Sequence, residues 1–102
     1  MDKALKIKIK KLKSILKKDG FIIDGVFGSI ARGDYTNKSD IDLLYHLEEP
    51  FFTKYQGFKG FAKIEEIKEF LKKELKRDID LAPTDNLSNT AKKYILKDLK
   101  SV

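Results

Sequence analysis

The sequence predicts an α/β (α+β) fold, a small β-sheet with helices packed on it. Three observations predict it. Apolar residues recur at helical spacing in three long stretches. Three short β-prone runs lie between or beside them, each bounded by Gly, Asp or Pro. The two kinds of element alternate as helix, strand, helical turn, strand, helix, strand, helix, which is how a sheet covered by helices reads.

Residues 3–18 include Ile7-Lys8-Ile9-Lys10, which alternates like a strand. Leu5, Ile9, Leu12 and Leu16 nevertheless fall at i, i+4, i+7 and i+11, one face of a helix. Asp2 can cap its start, and Lys17, Lys18 and Gly20 suit its end. A basic amphipathic helix can also lie on a membrane, but this apolar stripe is narrow and is needed for the core. Phe21–Phe27 reads as a strand whose main pairing run is Ile23–Phe27, since Asp24-Gly25 interrupts it. Gly28-Ser29 breaks the strand, Ile30-Ala31-Arg32 suffices for one helical turn, and Gly33 to Lys38 is loop by composition. Ser39–Leu47 is a second strand. Glu48–Gly60, with Pro50, Gly57, Gly60 and the aromatics Phe51, Phe52, Tyr55 and Phe58, reads as loop. Residues 61–76 place Ile64, Ile67, Leu71 and Leu75 on one helical face, with Lys72, Lys73, Lys76 and Arg77 at the end, where they complement the dipole. Asp78–Ala82 is a short third strand and Pro83–Asn86 a turn. Ser88 or Asn89 can cap a last helix, Thr90–Lys100, with Ala91, Ile95 and Leu99 inward.

The 102 residues suit one domain, 1–102, with a modest core. A net charge of +6 favours anionic partners, whether nucleotide, nucleic acid or acidic protein, although the lysines are spread over three helices as solubility alone would require. The absence of cysteine excludes disulfides, zinc-thiolate sites and a cysteine nucleophile. No apolar run approaches the ~20 residues of a bilayer span, and no signal-peptide core is present. The expectation is a cytoplasmic protein with no membrane association.

The chemistry concentrates in Ser39-Asp40-Ile41-Asp42-Leu43-Leu44. Alternation along a strand points Asp40 and Asp42 the same way. Two carboxylates so close repel, and burying them unpaired is costly, so a divalent cation between them resolves both problems. Alone, this pair could simply be a hydrated strand end. Upstream, a strand running into Gly28-Ser29 and a helical turn offers backbone N–H groups and a hydroxyl to a phosphate, and glycine lets that phosphate approach closely. Arg32 and Lys38 could add positive charge there.

Together, Phe27-Gly28-Ser29-Ile30-Ala31-Arg32-Gly33-Asp34 and Ser39-Asp40-Ile41-Asp42-Leu43-Leu44 resemble the signature of the DNA polymerase beta superfamily of nucleotidyltransferases, in the form typical of its minimal nucleotidyltransferases (MNT). The resemblance implies that superfamily's fold, a small mixed sheet with helices on it. It also implies a third carboxylate on a later strand. Ile79-Asp80-Leu81 fits the family's apolar-Asp-Leu pattern, so Asp80 is the expected residue, with Asp78 in reserve because both share a strand face. By the same resemblance, Gly28 and Ser29 hold the β- and γ-phosphates of ATP. Asp40, Asp42 and Asp80 are catalytic and bind Mg²⁺, two ions in the family's scheme, while Asp80 helps activate the attacking hydroxyl.

Minimal nucleotidyltransferases are typically paired with a small helical HEPN protein as antitoxin and toxin. The resemblance therefore implies transfer of AMP from ATP to a tyrosine of a HEPN partner. The alternative is a steric antitoxin that neutralises its partner by complex formation alone. A nucleic-acid-binding role rests only on the net charge. Homo-oligomerisation stays open. The aromatics Phe51, Phe52 and Phe61 are expected to finish the core, His46 to be structural or on the surface, and Tyr35 is a minor candidate for nucleotide contact.

Overall fold

The computed structural model describes residues 1–85 and 87–102. The elements are α1 (Lys3–Lys17), β1 (Phe21–Phe27), α2 (Gly28–Arg32), β2 (Ile41–Leu47), α3 (Glu49–Lys54), α4 (Phe58–Leu75), β3 (Ile79–Pro83) and α5 (Asn89–Asp98). They form an α+β fold around a mixed three-stranded sheet of order β1-β2-β3. β1 pairs antiparallel with β2, and β2 pairs parallel with β3. A parallel pair cannot be joined by a tight turn, so α3 and α4 carry the chain from the end of β2 back to the start of β3.

In the central strand Ile41, Leu43, Leu44 and Tyr45 are all buried. Ile9, Leu12 and Leu16 of α1 meet Ile67, Leu71 and Leu75 of α4 in the same buried cluster as Phe21, Ile23 and Val26 of β1. These are the helical stripes that the sequence spacing selects. Removing each such side chain from water contributes roughly 1.5–3 kcal/mol. Phe21 stacks on Tyr45 with ring centroids 4.7 Å apart, locking β1 to β2 at the end opposite the Gly28 turn. Asp2 caps α1 by accepting from the Ala4 amide at 2.9 Å, and Ser88 caps α5 by accepting from Ala91 at 3.1 Å.

Several boundaries differ from those read in the sequence. All of Phe21–Phe27 is strand, because a bulge between Ile23 and Gly25 absorbs Asp24 and pairing resumes on both sides. Ser39 and Asp40 precede β2, and Asp78 precedes β3. The expected loop Glu48–Gly60 holds α3 and the first turn of α4. Pro50 sits in the first turn of α3, where its missing N–H has no helical partner to lose. Of the aromatics expected to complete the core, only Phe51 is buried; Phe52 and Phe61 are exposed. Pro83 belongs to β3, an edge strand that tolerates it, and Asn86, the last residue of the expected turn, lies outside the described residues. Leu99 and Lys100 leave the last helix. Lys100 pairs with Val26 through two hydrogen bonds of 2.8 and 2.9 Å, and Leu99 packs over Gly25, where any side chain would strike it. Ala91, Ile95 and Leu99 are only half-buried. No helix among the described residues is long and apolar enough to cross a membrane.

Candidate active site

Strand pairing puts the motif residues in a row across one end of the sheet. Phe27, the last residue of β1, lies opposite Asp42 of β2, and Asp42 lies opposite Asp80 of β3. Gly28 follows Phe27 with φ at +74°, a region that L side chains rarely adopt. A Cβ there would fall on the Asp42 carboxylate oxygen, so glycine is what lets this acid lie against the turn. Phe27 enters α2 extended and offers no side-chain cap, so the leading amides of α2 have no side-chain acceptor. Amides at the start of a helical turn with no side-chain cap, beside a half-buried serine, are the kind of donors that an anion takes.

Asp42 is the electrostatic centre of the row. Burial pushes its carboxyl above the ordinary carboxylate range, the charges of Asp80 and Asp40 push it further, and Arg32 pulls it back. Arg32 does not reach into the cradle. Its Nε donates to Asp34 at 3.1 Å and its Nη1 to Asp98 at 2.8 Å, a pairing that also ties α2 to α5. Its charge is thus held near the site by two carboxylates.

Asp40 and Asp80 are exposed and line a common hollow with Asp78, Lys68, Glu69 and Lys72. Of the two acids that the sequence left as alternatives, Asp80 is the one paired in register with Asp42. Asp78 turns instead to Lys72, whose Nζ lies 3.1 Å from its Oδ1. Among the described residues, no group of three acids is already closed around one point. The donor set nevertheless fits a hard divalent cation. Three carboxylates supply the oxygens such ions take, and a cation would offset both the burial and the mutual repulsion that lift Asp42. Asp40 and Asp80, being exposed, have room to turn towards it.

Lys38 lies apart from the Gly28 turn, in a cleft with Lys72, Lys76, Arg77 and Asp78. Arg77, which the sequence reading placed only at a helix end, has a positioning role. Its Nη1 donates to the carbonyls of Thr36 at 2.9 Å and Ser39 at 3.1 Å, fixing the loop immediately before Asp40. Its guanidinium also lies over the Tyr35 ring at 5.7 Å, which packs Tyr35 against the core edge. A cation immediately ahead of Asp78, at the entry to β3, was the signal that could have suggested this. His46 is outside the row. Its Nδ1 meets Asp24 at 2.8 Å and its Nε2 meets Glu48 at 3.2 Å; the Asp24 hydrogen bond raises its pKa most, burial opposes it, and Glu48 adds to the rise. Thr84 donates to the same Asp24 at 2.7 Å, so the bulged residue of β1 clamps β2 and the end of β3.

Comparison with known proteins bears on the family and the fold. A family model described as nucleotidyltransferase domain matches residues 5–102. A Methanocaldococcus jannaschii protein, provisionally named a protein adenylyltransferase, is 34% identical, with the alignment covering 89% of this chain and 87% of that protein. A solved structure provisionally described as a minimal nucleotidyltransferase superposes with a TM-score of 0.73 at 25% identity, covering 100% of this chain and 97% of the other. A toxin–antitoxin crystal structure with AMP-PNP superposes with a TM-score of 0.68 at 21% identity, covering 94% of this chain and 70% of that one, and shares the fold.

Proposed function

This chain belongs to the nucleotidyltransferase domain family, as one of its minimal members, and we propose that it transfers AMP from ATP to a hydroxyl of a protein acceptor, acting as the antitoxin of a HEPN-type partner. The observation that carries this reading is the row Gly28–Asp42–Asp80, in which a turn with no side-chain cap abuts the lifted carboxyl of Asp42. The relative named for protein adenylylation supports the acceptor class, and the neighbour crystallised as a toxin–antitoxin complex with AMP-PNP supports the nucleotide and the partner.

In this reading the amides of Gly28 and Ser29 bind the β- and γ-phosphates, and Arg32 adds its charge from the α2–α5 junction. Lys38 stays on the far side of the carboxylates. Asp40, Asp42 and Asp80 would hold Mg²⁺, which when bound supplies neutralisation of charge on the phosphate oxygens. The acceptor oxygen bonds to the α-phosphorus as the bond to the bridging oxygen breaks. Pyrophosphate leaves with that electron pair, and Asp80 takes the hydroxyl proton. Arg77 keeps Asp40 in place through the Ser39 carbonyl. Such chemistry is mostly positioning and charge compensation, which a small site can supply.

The test is incubation with labelled ATP, Mg²⁺ and the product of the neighbouring gene, if that is a small helical protein, with an Asp40→Ala, Asp42→Ala double variant in parallel. A gain of one AMP mass on a partner tyrosine, absent with the variant, is expected. Tight complex formation by both proteins without label would overturn the catalytic reading in favour of a steric antitoxin. One observation favours that second reading: Phe52, Phe58 and Phe61 leave apolar surface open beside α3, where a partner can bury it.

A further inference from the structure

The carboxylate row has two unlike flanks. On the β1 side lies the Gly28 turn. On the β3 side, where α4 packs on β3, lies a cleft of about 560 Å³ lined by Lys38, Lys72, Lys76, Arg77 and Asp78. Across the sheet end the order is Gly28, Asp42, Asp80; the basic cleft lies ahead of the β2 and β3 entries, lined also by Asn37 and Ser39, and shares Lys72 and Asp78 with the hollow that holds Asp40 and Asp80. In an in-line displacement the attacking and leaving oxygens stand on opposite sides of the phosphorus. If pyrophosphate departs at Gly28, the acceptor arrives from the side away from Gly28, where the hollow of Asp40 and Asp80 adjoins this cleft.

The chemistry of the cleft says what kind of acceptor. Four cations face one carboxylate, and that carboxylate, Asp78, is already engaged by Lys72 at 3.1 Å. Arg77 donates to two backbone carbonyls, which leaves its charge without an acidic partner. Neither Lys38 nor Lys76 has an acidic partner within ion-pair distance among the described residues. Lys76 is also the one non-glycine among the described residues with positive φ, at 55°. It ends α4 in the left-handed conformation, where glycine or asparagine is the favoured choice. A long cation is therefore kept at a position that its backbone disfavours, on the wall of this cleft. Local strain of this kind persists where it serves a site.

We propose that this cleft binds an acidic segment of the acceptor protein, flanking the residue that receives the nucleotidyl group. The inference rests on the transfer reading for the direction of approach. A nucleic acid strand suits the cleft less well. Its evenly spaced phosphates would run on from the cations into Asp40, Asp78, Asp80 and Glu69 next door, whereas a protein segment needs acids only within the cleft and presents a neutral hydroxyl to the row.

Equilibrium binding tests it without requiring turnover. The probe is a fluorescent peptide of glutamates around one tyrosine, measured by anisotropy with the full chain. Wild type is expected to bind it in a salt-sensitive way, Lys76→Glu about tenfold more weakly, and Lys38→Glu with Lys76→Glu more weakly still. Lys76→Gly relieves the backbone and removes the cation, so it weakens binding without unfolding the protein. Lys59→Glu is the matched control. It makes the same charge change at the other end of α4, about 25 Å away at 1.5 Å per residue, and is expected to leave binding unchanged. An ATP analogue is expected to bind Lys76→Gly as it binds wild type. Equal peptide affinity across wild type, Lys76→Gly and Lys76→Glu would overturn the proposal, as would equal loss with Lys59→Glu. Tighter binding of a single-stranded RNA of matched length, weakened by the same variants, would assign the cleft to nucleic acid instead. Peptide binding that follows the proposal, with no transfer to any acceptor, would sink the transfer reading alone.

Discussion

Lys76→Gly separates stability from function at a single backbone position. Lys76 closes α4 with φ 55° and ψ 37°, and its amide donates to the Lys72 carbonyl at 2.8 Å. An L-residue pays roughly 1–2 kcal/mol for the left-handed region, and glycine pays nothing there. Glycine returns about 0.5–1 kcal/mol through the greater freedom of its unfolded chain. The hydrogen bond is a backbone bond and survives the change. The Lys76 side chain is exposed, so little packing is lost. The net expectation is a gain near 1 kcal/mol, which for a domain of about this size raises Tm by about 4–8 °C. Thermal unfolding by circular dichroism, with a urea titration at fixed pH, measures it. A fall in Tm, or an unchanged midpoint, would refute the claim that Lys76 is held at a conformational cost.

Two further substitutions probe the site and a third probes the His46–Asp24 contact outside it. Gly28→Ala puts a Cβ where the Asp42 carboxylate lies and forces a positive φ on alanine; nucleotidyl transfer should fall about 100-fold or more, because displacement by an ångström suffices for that, and stability by about 1–3 kcal/mol in a urea titration. Asp42→Asn should stabilise the protein at neutral pH while cutting transfer by about 100-fold or more, measured by thermal unfolding and by label transfer. The sign follows from the raised pKa of Asp42: the folded state holds the proton more tightly than the unfolded one, so wild type gains stability as pH falls through the folded pKa towards 3.8, and the variant lacks that dependence. Mg²⁺ at ten times its Kd should stabilise wild type by about 1.4 kcal/mol and this variant by less. His46→Gln should be less stable than wild type at pH below the unfolded value of 6.5, with the deficit closing as pH rises through the raised folded pKa, because the Asp24 and Glu48 pairs exist only while His46 is protonated; Tm across a pH series reads it.

What could be read in the sequence was what local spacing determines. The stripes Leu5-Ile9-Leu12-Leu16 and Ile64-Ile67-Leu71-Leu75 mark α1 and α4, because a helix repeats its face every three or four residues. Gly28 and the Asp40–Asp42 pair stood out by turn chemistry and strand alternation, whereas Asp80 was expected from the family resemblance, and the strand pairing that sets it opposite Asp42 lies beyond local spacing. What stayed hidden depends on contacts distant in sequence. Arg32 meets Asp98 across 66 positions, and Lys100 leaves its helix for Val26 because a strand edge was open to it. The basic cleft joins a loop before β2 to the end of α4, two segments that no periodicity relates. α3 was hidden because its proline and aromatics read as loop, although Pro50 occupies a helical first turn and Phe51 reaches the core.

If the proposed transfer to a partner holds, the two ends of β2 separate holding that partner from modifying it. The carboxylate row lies at the Ile41 end, and the apolar groove lined by Leu47, Phe52, Tyr55 and Phe61 lies at the other. Seven residues of strand at about 3.3 Å each put roughly 20 Å between them. A partner seated on the groove presents a hydroxyl to Asp80 only if it spans that distance, so adhesion and transfer draw on different residues. Phe52→Ser with Phe61→Ser removes exposed rings and should leave fold stability within about 0.5 kcal/mol, because neither ring is in the core. If the groove holds the partner, affinity should fall about tenfold or more, as when an aromatic anchor is removed from an interface, while transfer to the isolated acidic tyrosine peptide is retained. Isothermal titration against the partner and label transfer to the peptide measure the two separately. Undiminished partner affinity would show that the groove is not the holding surface, and would leave the cleft beside Asp80 to do both jobs.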